Sequence, residues 1–188
     1  MIEKQNQTKM KSRSAVYRPM VSCIFIVVFA VMDQLLKIWA VEKLKPAGSM
    51  DFLKIGNLDI LGFRYLENTG AAFGSFAGMR WILIGVTSAM CIICLYVLFR
   101  HSDKSKLLLA ALTLIIGGGI GHVIDRIFRE GRVIDYLEVR LFHFAVFNFA
   151  DCCVVIGVAL LAVYLLFHPE QRKPEKASAE KSEGDENA

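Results

Sequence analysis

The chain has 188 residues, 55% of them hydrophobic, and a mean hydropathy of +0.46. That is too apolar for an ordinary soluble domain and fits a small polytopic membrane protein. The net charge of +4 sits on Lys and Arg residues that flank apolar stretches, where they meet anionic lipid, so it calls for no nucleic-acid partner.

A bilayer-spanning helix needs about 20 mostly apolar residues. Four stretches qualify: Met20 to Val41, Trp81 to Phe99, Leu107 to Ile124 and Phe149 to Phe167. They predict an α-helical integral membrane protein with four transmembrane helices. The first stretch follows a basic tail with Lys4, Lys9, Lys11, Arg13 and Arg18, and so resembles a signal peptide. The apolar run is too long for one, however, no small-residue cleavage site follows, and it contains Asp33 and Lys37. It reads as an uncleaved span. Asp33 and Lys37 are four apart and face one another along the helix. A buried ion implies a protein partner, so the expectation is a structural ion pair.

The segment after the first span has strand character through Phe52, Leu53, Ile55, Leu58, Ile60, Leu61, Phe63, Tyr65 and Leu66, with Gly56-Asn57 as a turn. Arg132 to Phe147 is similar. The two are expected to pair into a small extracytoplasmic β-sheet resting on the helix ends. Between that loop and the second span lies Asn68-Thr69-Gly70-Ala71-Ala72-Phe73-Gly74. Small residues such as Gly70 let backbone approach a partner or substrate, and Asn68 offers both a donor and an acceptor. A tight structural loop is the competing reading.

The loop between spans two and three carries Arg100, Lys104 and Lys106, and the C-terminal tail carries Arg172, Lys173, Lys176 and Lys181. With four spans, these and the N-terminal tail share one side, and the positive-inside bias puts both termini in the cytoplasm. The opposite loops also hold basic residues but are longer and interleaved with acids. The organisation is then a basic cytoplasmic tail (1–18), one membrane domain (19–168) and a C-terminal cytoplasmic tail (169–188). The last is rich in Glu, Lys, Ser and Ala and is expected to be disordered.

The third span contains Gly117-Gly118-Gly119-Ile120-Gly121. No Gly-Lys-Ser/Thr follows, so it is no phosphate loop, and its small-xxx-small spacing lets helices approach closely. All five cysteines fall inside predicted spans, and Cys91-x-x-Cys94 reads as packing rather than as a redox pair. His122 lies three residues before Asp125, but a metal reading needs His143 as a third ligand, and no His-Glu-x-x-His occurs. Neither a metal nor another cofactor is expected.

The third span exits near Asp125 and the fourth enters near Asp151, so Asp125, Asp135 and Asp151 gather at the outer face. Carboxylates in apolar surroundings are costly and usually functional. Two held close together cannot easily both ionise, which is the equipment of an aspartic protease. Asp125 has Arg126 beside it and Arg129 one turn on, which favour its ionised form and mark it as a structural or orienting acid. Asp135 has apolar flanks, and Asp151 opens an apolar helix with Asn148 three residues earlier on the same face. Asp135 with Asp151 is the better pair. Helix-end charge is the plainer alternative, because Asp151 also suits a helix N-terminus. Other function classes are a small transporter or proton-relay protein and a catalytically inactive scaffold. A proton relay wants acids spread through the membrane, whereas these cluster at one face.

Five segments in order resemble the bacterial lipoprotein signal peptidases (signal peptidase II). They are Asp33-Gln34-x-x-Lys37, Asn68-Thr69-Gly70-Ala71-Ala72-Phe73, Gly117-Gly118-x-x-Gly121-x-x-x-Asp125-Arg126, Val133-Ile134-Asp135-Tyr136 and Phe147-Asn148-x-Ala150-Asp151. The resemblance implies four membrane helices, an outward-facing site and a metal-independent aspartic endopeptidase. It implies that Asp135 and Asp151 are catalytic. Asn68, Arg126 and Asn148 would contact substrate or inhibitor or support the pair, and Asp125 would be a supporting acid. The implied substrate is a prolipoprotein carrying diacylglycerol on its lipobox cysteine, cleaved just before that cysteine, with globomycin-like cyclic peptides as inhibitors. The chain departs from the family pattern twice, with His122 where Asn is usual and Ala145 where Pro is frequent.

Overall fold

Backbone that must cross hydrocarbon has no water to bond, so each apolar stretch closes its own hydrogen bonds as a helix. The computed structural model describes residues 2–71, 75–101, 104–142 and 144–167, with side chains from Tyr17 onward. Ala72, Phe73, Gly74, His143 and the tail from residue 168 lie outside the described residues, as do the side chains of residues 2–16. The chain runs α1 (Ile2–Trp39), a π-helical turn (Ala40–Leu44), α2 (Lys45–Ala47), β1 (Ser49–Ile55), β2 (Leu58–Asn68), α3 (Arg80–Arg100), α4 (Lys106–Phe128), β3 (Val133–Val139) and α5 (Phe149–Phe167). Four helices are long and apolar enough to cross a membrane.

The first of them is longer than its apolar run suggests. It passes Pro19 without a break and continues through the π-helical turn, so the candidate span is Tyr17–Ala47 rather than Met20 to Val41. The extension is held by packing, because Ala40 and Leu44 are buried against Ile134 and Tyr136 with Trp39, Phe63 and Tyr65 around them. Hydropathy stops at the charged Glu42, Lys43 and Lys45 and so misses a helix end that lies under protein rather than in lipid.

The three strands form one antiparallel sheet in the order β1-β2-β3. Ile55 pairs with Leu58 across a two-residue turn, where Gly56 takes a φ of +59° that L side chains resist. β3 is shorter than its composition suggested, ending at Val139. The chain then reverses, and Phe147 returns beside Leu137 with backbone bonds of 2.7 and 3.0 Å. That return sets the start of α5 next to β3.

α4 is the central helix, packed against α1, α3 and α5. Ser105 opens it, its hydroxyl accepting from the Leu107 amide. Its glycines are contact points with different neighbours. A Cβ at Gly117 would meet Phe29 of α1, one at Gly118 would meet the Ala150 carbonyl of α5, and one at Gly119 would meet Cys91 of α3. At Gly121 it would fill the space that the Asp33 carboxylate takes. The other helices turn many large apolar residues outward, among them Trp81, Ile92, Val155 and Phe167, as lipid-facing helices do.

These contacts separate two kinds of glycine. Gly118→Ala places a methyl against backbone 2.5 Å away and forces α4 from α5, whereas Gly85 of α3 has nothing within 4 Å. Gly118→Ala is expected to lower thermal stability in detergent by about 1–3 kcal/mol, while Gly85→Ala leaves it unchanged; equal midpoints for the two variants would contradict this packing.

Candidate active site

The four amide donors at the head of an α-helix have no partner within it. At α5 each one finds a protein acceptor. The Asn148 amide donates to Asp151 Oδ2 at 2.9 Å, and the Asp151 amide donates back to Asn148 Oδ1 at 3.0 Å. This reciprocal arrangement is a capping box with Asn at the cap and Asp three residues on. The Phe149 amide donates to the Tyr136 hydroxyl at 3.3 Å, and the Ala150 amide donates to Asp33 Oδ1 at 3.1 Å. Three separate elements, α1, β3 and the cap itself, therefore fix where α5 begins.

The same residues bring the two acids together. Asn148 Nδ2 donates to Asp135 Oδ1 at 2.6 Å, while its backbone amide holds Asp151. Asn68, at the end of β2, donates to the other Asp135 oxygen at 3.1 Å. Asp135 is 2% exposed, whereas the Asp151 side chain is 38% exposed. Burial first, and then the negative charge of Asp151, push the Asp135 carboxyl up to about 6, against the pull of its two amide donors. His122 Nε2 lies 3.2 Å from Asp151 Oδ1.

Asp125 takes no part in that pair. It is fully buried and meets Lys37 Nζ at 2.8 Å, Gln34 Nε2 at 3.1 Å, the Ile134 amide at 3.2 Å and Arg129 Nε at 3.4 Å. Lys37 also lies 2.8 Å from Asp33, so the ion pair expected on α1 is part of a larger buried network. Two carboxylates, one ammonium and a guanidinium at the edge balance in charge, as buried ions must. Asp125 thus orients β3 through Ile134, and Asp33 orients α5 through Ala150. Arg126, next in sequence to Asp125, does not hold it, since adjacent helical residues do not face each other. Its Nη2 instead donates to the buried Gly70 carbonyl at 3.1 Å, and the Gly70 amide donates to Asn68 Oδ1 at 2.9 Å. The loop is thereby tied to both Arg126 and Asn68.

Three further contributors escape a reading of the sequence. Gln34 bridges Asp33, Asp125 and the Gly121 carbonyl. Tyr136 supplies an acceptor from a buried position. Glu67, beside Asn68, receives the Tyr65 hydroxyl, Lys45 and Arg132, which hold its carboxyl down to about 2 and clamp the end of β2 to α2 and to the approach to β3. Gln34 and Tyr136 had a signal in their places beside Asp33 and Asp135 in the motif segments; Glu67 had none. Among the described residues no His, Cys, Asp and Glu group has the arrangement of a metal site.

Removing Lys37 should be far worse than removing a surface cation, because it strands two buried carboxylates. Lys37→Met is expected to cost about 3–5 kcal/mol of stability, read as a large fall in the detergent unfolding midpoint. A midpoint matching the unaltered protein would refute the buried network.

The chain is similar to known proteins over most of its length. The family model described as signal peptidase (SPase) II matches residues 24–167. The lipoprotein signal peptidase of Clostridium tetani is 35% identical over 146 residues, covering 76% of this chain and 90% of that protein. The lipoprotein signal peptidase of Halothermothrix orenii is 39% identical over 142 residues, covering 76% and 92%. A solved bacterial membrane enzyme superposes with a TM-score of 0.73 at 25% identity, covering 82% of this chain and 93% of that one. None of these proteins is described as a transporter, a proton relay or a scaffold. With four membrane helices, a three-stranded sheet and a match over most of its length, the chain belongs to the signal peptidase II family of membrane aspartic endopeptidases.

Proposed function

We propose that this enzyme removes signal peptides from diacylglyceryl-modified prolipoproteins by cutting before the lipobox cysteine, with Asp135 and Asp151 as its catalytic pair. The observation that carries this reading is Asn148, which holds one carboxylate by its side chain and the other by its amide at the mouth of an apolar helix. The ionised member takes a proton from water, and the resulting hydroxide adds to the scissile carbonyl carbon. The protonated member donates to the carbonyl oxygen. The amide nitrogen then gains a proton, the C–N bond breaks, and the products are a signal-peptide carboxylate and the free amine of the lipidated cysteine.

The site lies where the helices meet the sheet, which suits a peptide whose next residue is anchored in lipid. The diacylglyceryl chains are placed in the bilayer between helices, and their binding energy positions the bond. Asn68, Gly70 and Arg126 form the nearby wall that would hold the peptide, and globomycin-like cyclic peptides would occupy the same place. The basic tail and the basic loop from Arg100 to Lys106 support a cytoplasmic location for both termini, with the site facing outward, a membrane domain over residues 19–168 and tails on either side.

Cleavage of a lipidated precursor by the purified enzyme is the deciding experiment. Asp135→Asn and Asp151→Asn are each expected to lose at least about a thousandfold in kcat, as removal of a proton-transfer group does. Both variants should still fold and insert in the membrane, so that the loss is read as chemistry and not as missing protein. Appreciable turnover by either variant would exclude the pair. The pH dependence has a definite sign. A carboxyl raised to about 6 is protonated below that pH and loses its proton above it, so kcat/KM should fall as pH rises through about 6; a rise over that range would contradict the shared proton. For orientation, a reporter fused after Lys104 should read cytoplasmic and one at Asn57 extracytoplasmic, and the opposite pattern would reverse the topology.

A further inference from the structure

His122 stands where the family pattern has Asn, and its surroundings show what it does there. The residue is on α4, one turn before Asp125, and its side chain is 14% exposed. Its Nε2 reaches Asp151 Oδ1 at 3.2 Å, whereas Nδ1 is buried with no hydrogen-bond partner among the described residues. A neutral imidazole protonated on Nε2 satisfies this geometry, since only an acceptor lone pair is left unmatched. An imidazolium would bury an unpaired N–H at Nδ1, which is the more costly omission. The acids that interact with the ring are Asp151 on α5, Asp33 on α1 and Asp135 on β3, and Lys37 on α1 and Arg126 on α4 act in turn on Asp151, while Asp125 on α4 pairs with Lys37.

Asp151 and Asp135 differ in ways that separate their roles. Asp151 sits in the first turn of α5, where the helix dipole favours an anion, and over a third of its side chain reaches solvent. Both of its oxygens face donors, the Asn148 amide and His122 Nε2. Asp135 lies on a strand between the buried Ile134 and Tyr136 and receives only carboxamides.

We infer that His122 is a positioning residue, a neutral imidazole donating from Nε2 to Asp151, that sets Asp151 as the ionised base and leaves Asp135 to carry the proton. This rests on the assignment of Asp135 and Asp151 as the catalytic pair. Asn, the residue usual at this position in the family pattern, also carries a side-chain N–H donor, which makes it the conservative replacement for the test.

The test compares His122→Asn and His122→Leu on a lipidated precursor across pH, with nitrogen NMR of the unaltered, histidine-labelled protein in bilayers, its His122 signals assigned by their loss in His122→Asn. Losing a donor to a carboxylate raises that carboxylate by about one to two pH units. The acidic limb of kcat/KM should therefore move toward neutrality by that amount in His122→Leu, with KM little changed, and stay within half a unit in His122→Asn. The NMR signals should show Nε2 protonated and Nδ1 bare at pH 7. An unmoved limb in a folded His122→Leu enzyme, or an imidazolium or Nδ1-protonated ring at pH 7, overturns the inference. The NMR result decides the matter if His122→Leu does not fold. Should Asp135→Asn or Asp151→Asn retain activity, the catalytic pair itself fails, which is a separate outcome.

Discussion

The head of α5 carries four amide donors that the helix cannot satisfy, and the protein meets each with a specific acceptor: Asp151, Tyr136, Asp33 and Asn148. At the edge of a membrane this requirement is strict, because a buried unpaired amide costs about 1–3 kcal/mol. Meeting it does more than stabilise a helix. Asn148 completes the cap and then extends its amide nitrogen to Asp135, so the bond pattern that starts α5 also sets the position of the second carboxylate. The candidate catalytic pair is thus a consequence of how one helix begins.

The cap depends on ions that would otherwise be prohibitively expensive to bury. Asp33 reaches the Ala150 amide only because Lys37 compensates its charge and Gly121 leaves room for its carboxylate. Lys37 in turn needs Asp125, and Asp125 needs Gln34, Arg129 and the Ile134 amide. The result is a closed set of contacts that ties α1 and α4 to β3 and α5. A change at any member should be felt at the pair, although among the described residues the polar partners of Asp151 are His122 and Asn148. The asymmetry between a buried Asp135 and a half-open Asp151 follows from placing one acid on a strand and the other at a helix tip.

Much of this was legible in the sequence where local rules apply. Hydropathy found the four helices, Gly56-Asn57 marked the hairpin turn, and the spacing of Asp33 and Lys37 gave their pairing. The grouping of Asp135 and Asp151 followed from topology, because both lie at the end where α4 leaves and α5 begins. What was not legible depends on contacts distant in sequence. The nearest bases to Asp125 in the chain are Arg126 and Arg129, yet its closest cation is Lys37, and Arg126 turns to Gly70 instead. Nor does spacing reveal that Asn148 gives its side chain to Asp135 and its backbone to Asp151. The π-helical end of α1 was hidden because Glu42, Lys43 and Lys45 mask Leu44, which protein rather than lipid covers.

If the cap fixes the geometry of the carboxylates, then disturbing the cap alone must slow the chemistry. The most direct measurement is single-turnover cleavage of a diacylglyceryl-modified precursor by Asn148→Ala, which leaves Asp135 and Asp151 in the chain but removes the carboxamide that joins them. The predicted result is a loss of about a hundredfold or more in the cleavage rate, with precursor affinity close to that of the unaltered enzyme, as expected when reacting groups are displaced rather than deleted. A variant that folds and cleaves at the unaltered rate would contradict the dependence of the pair on the head of α5.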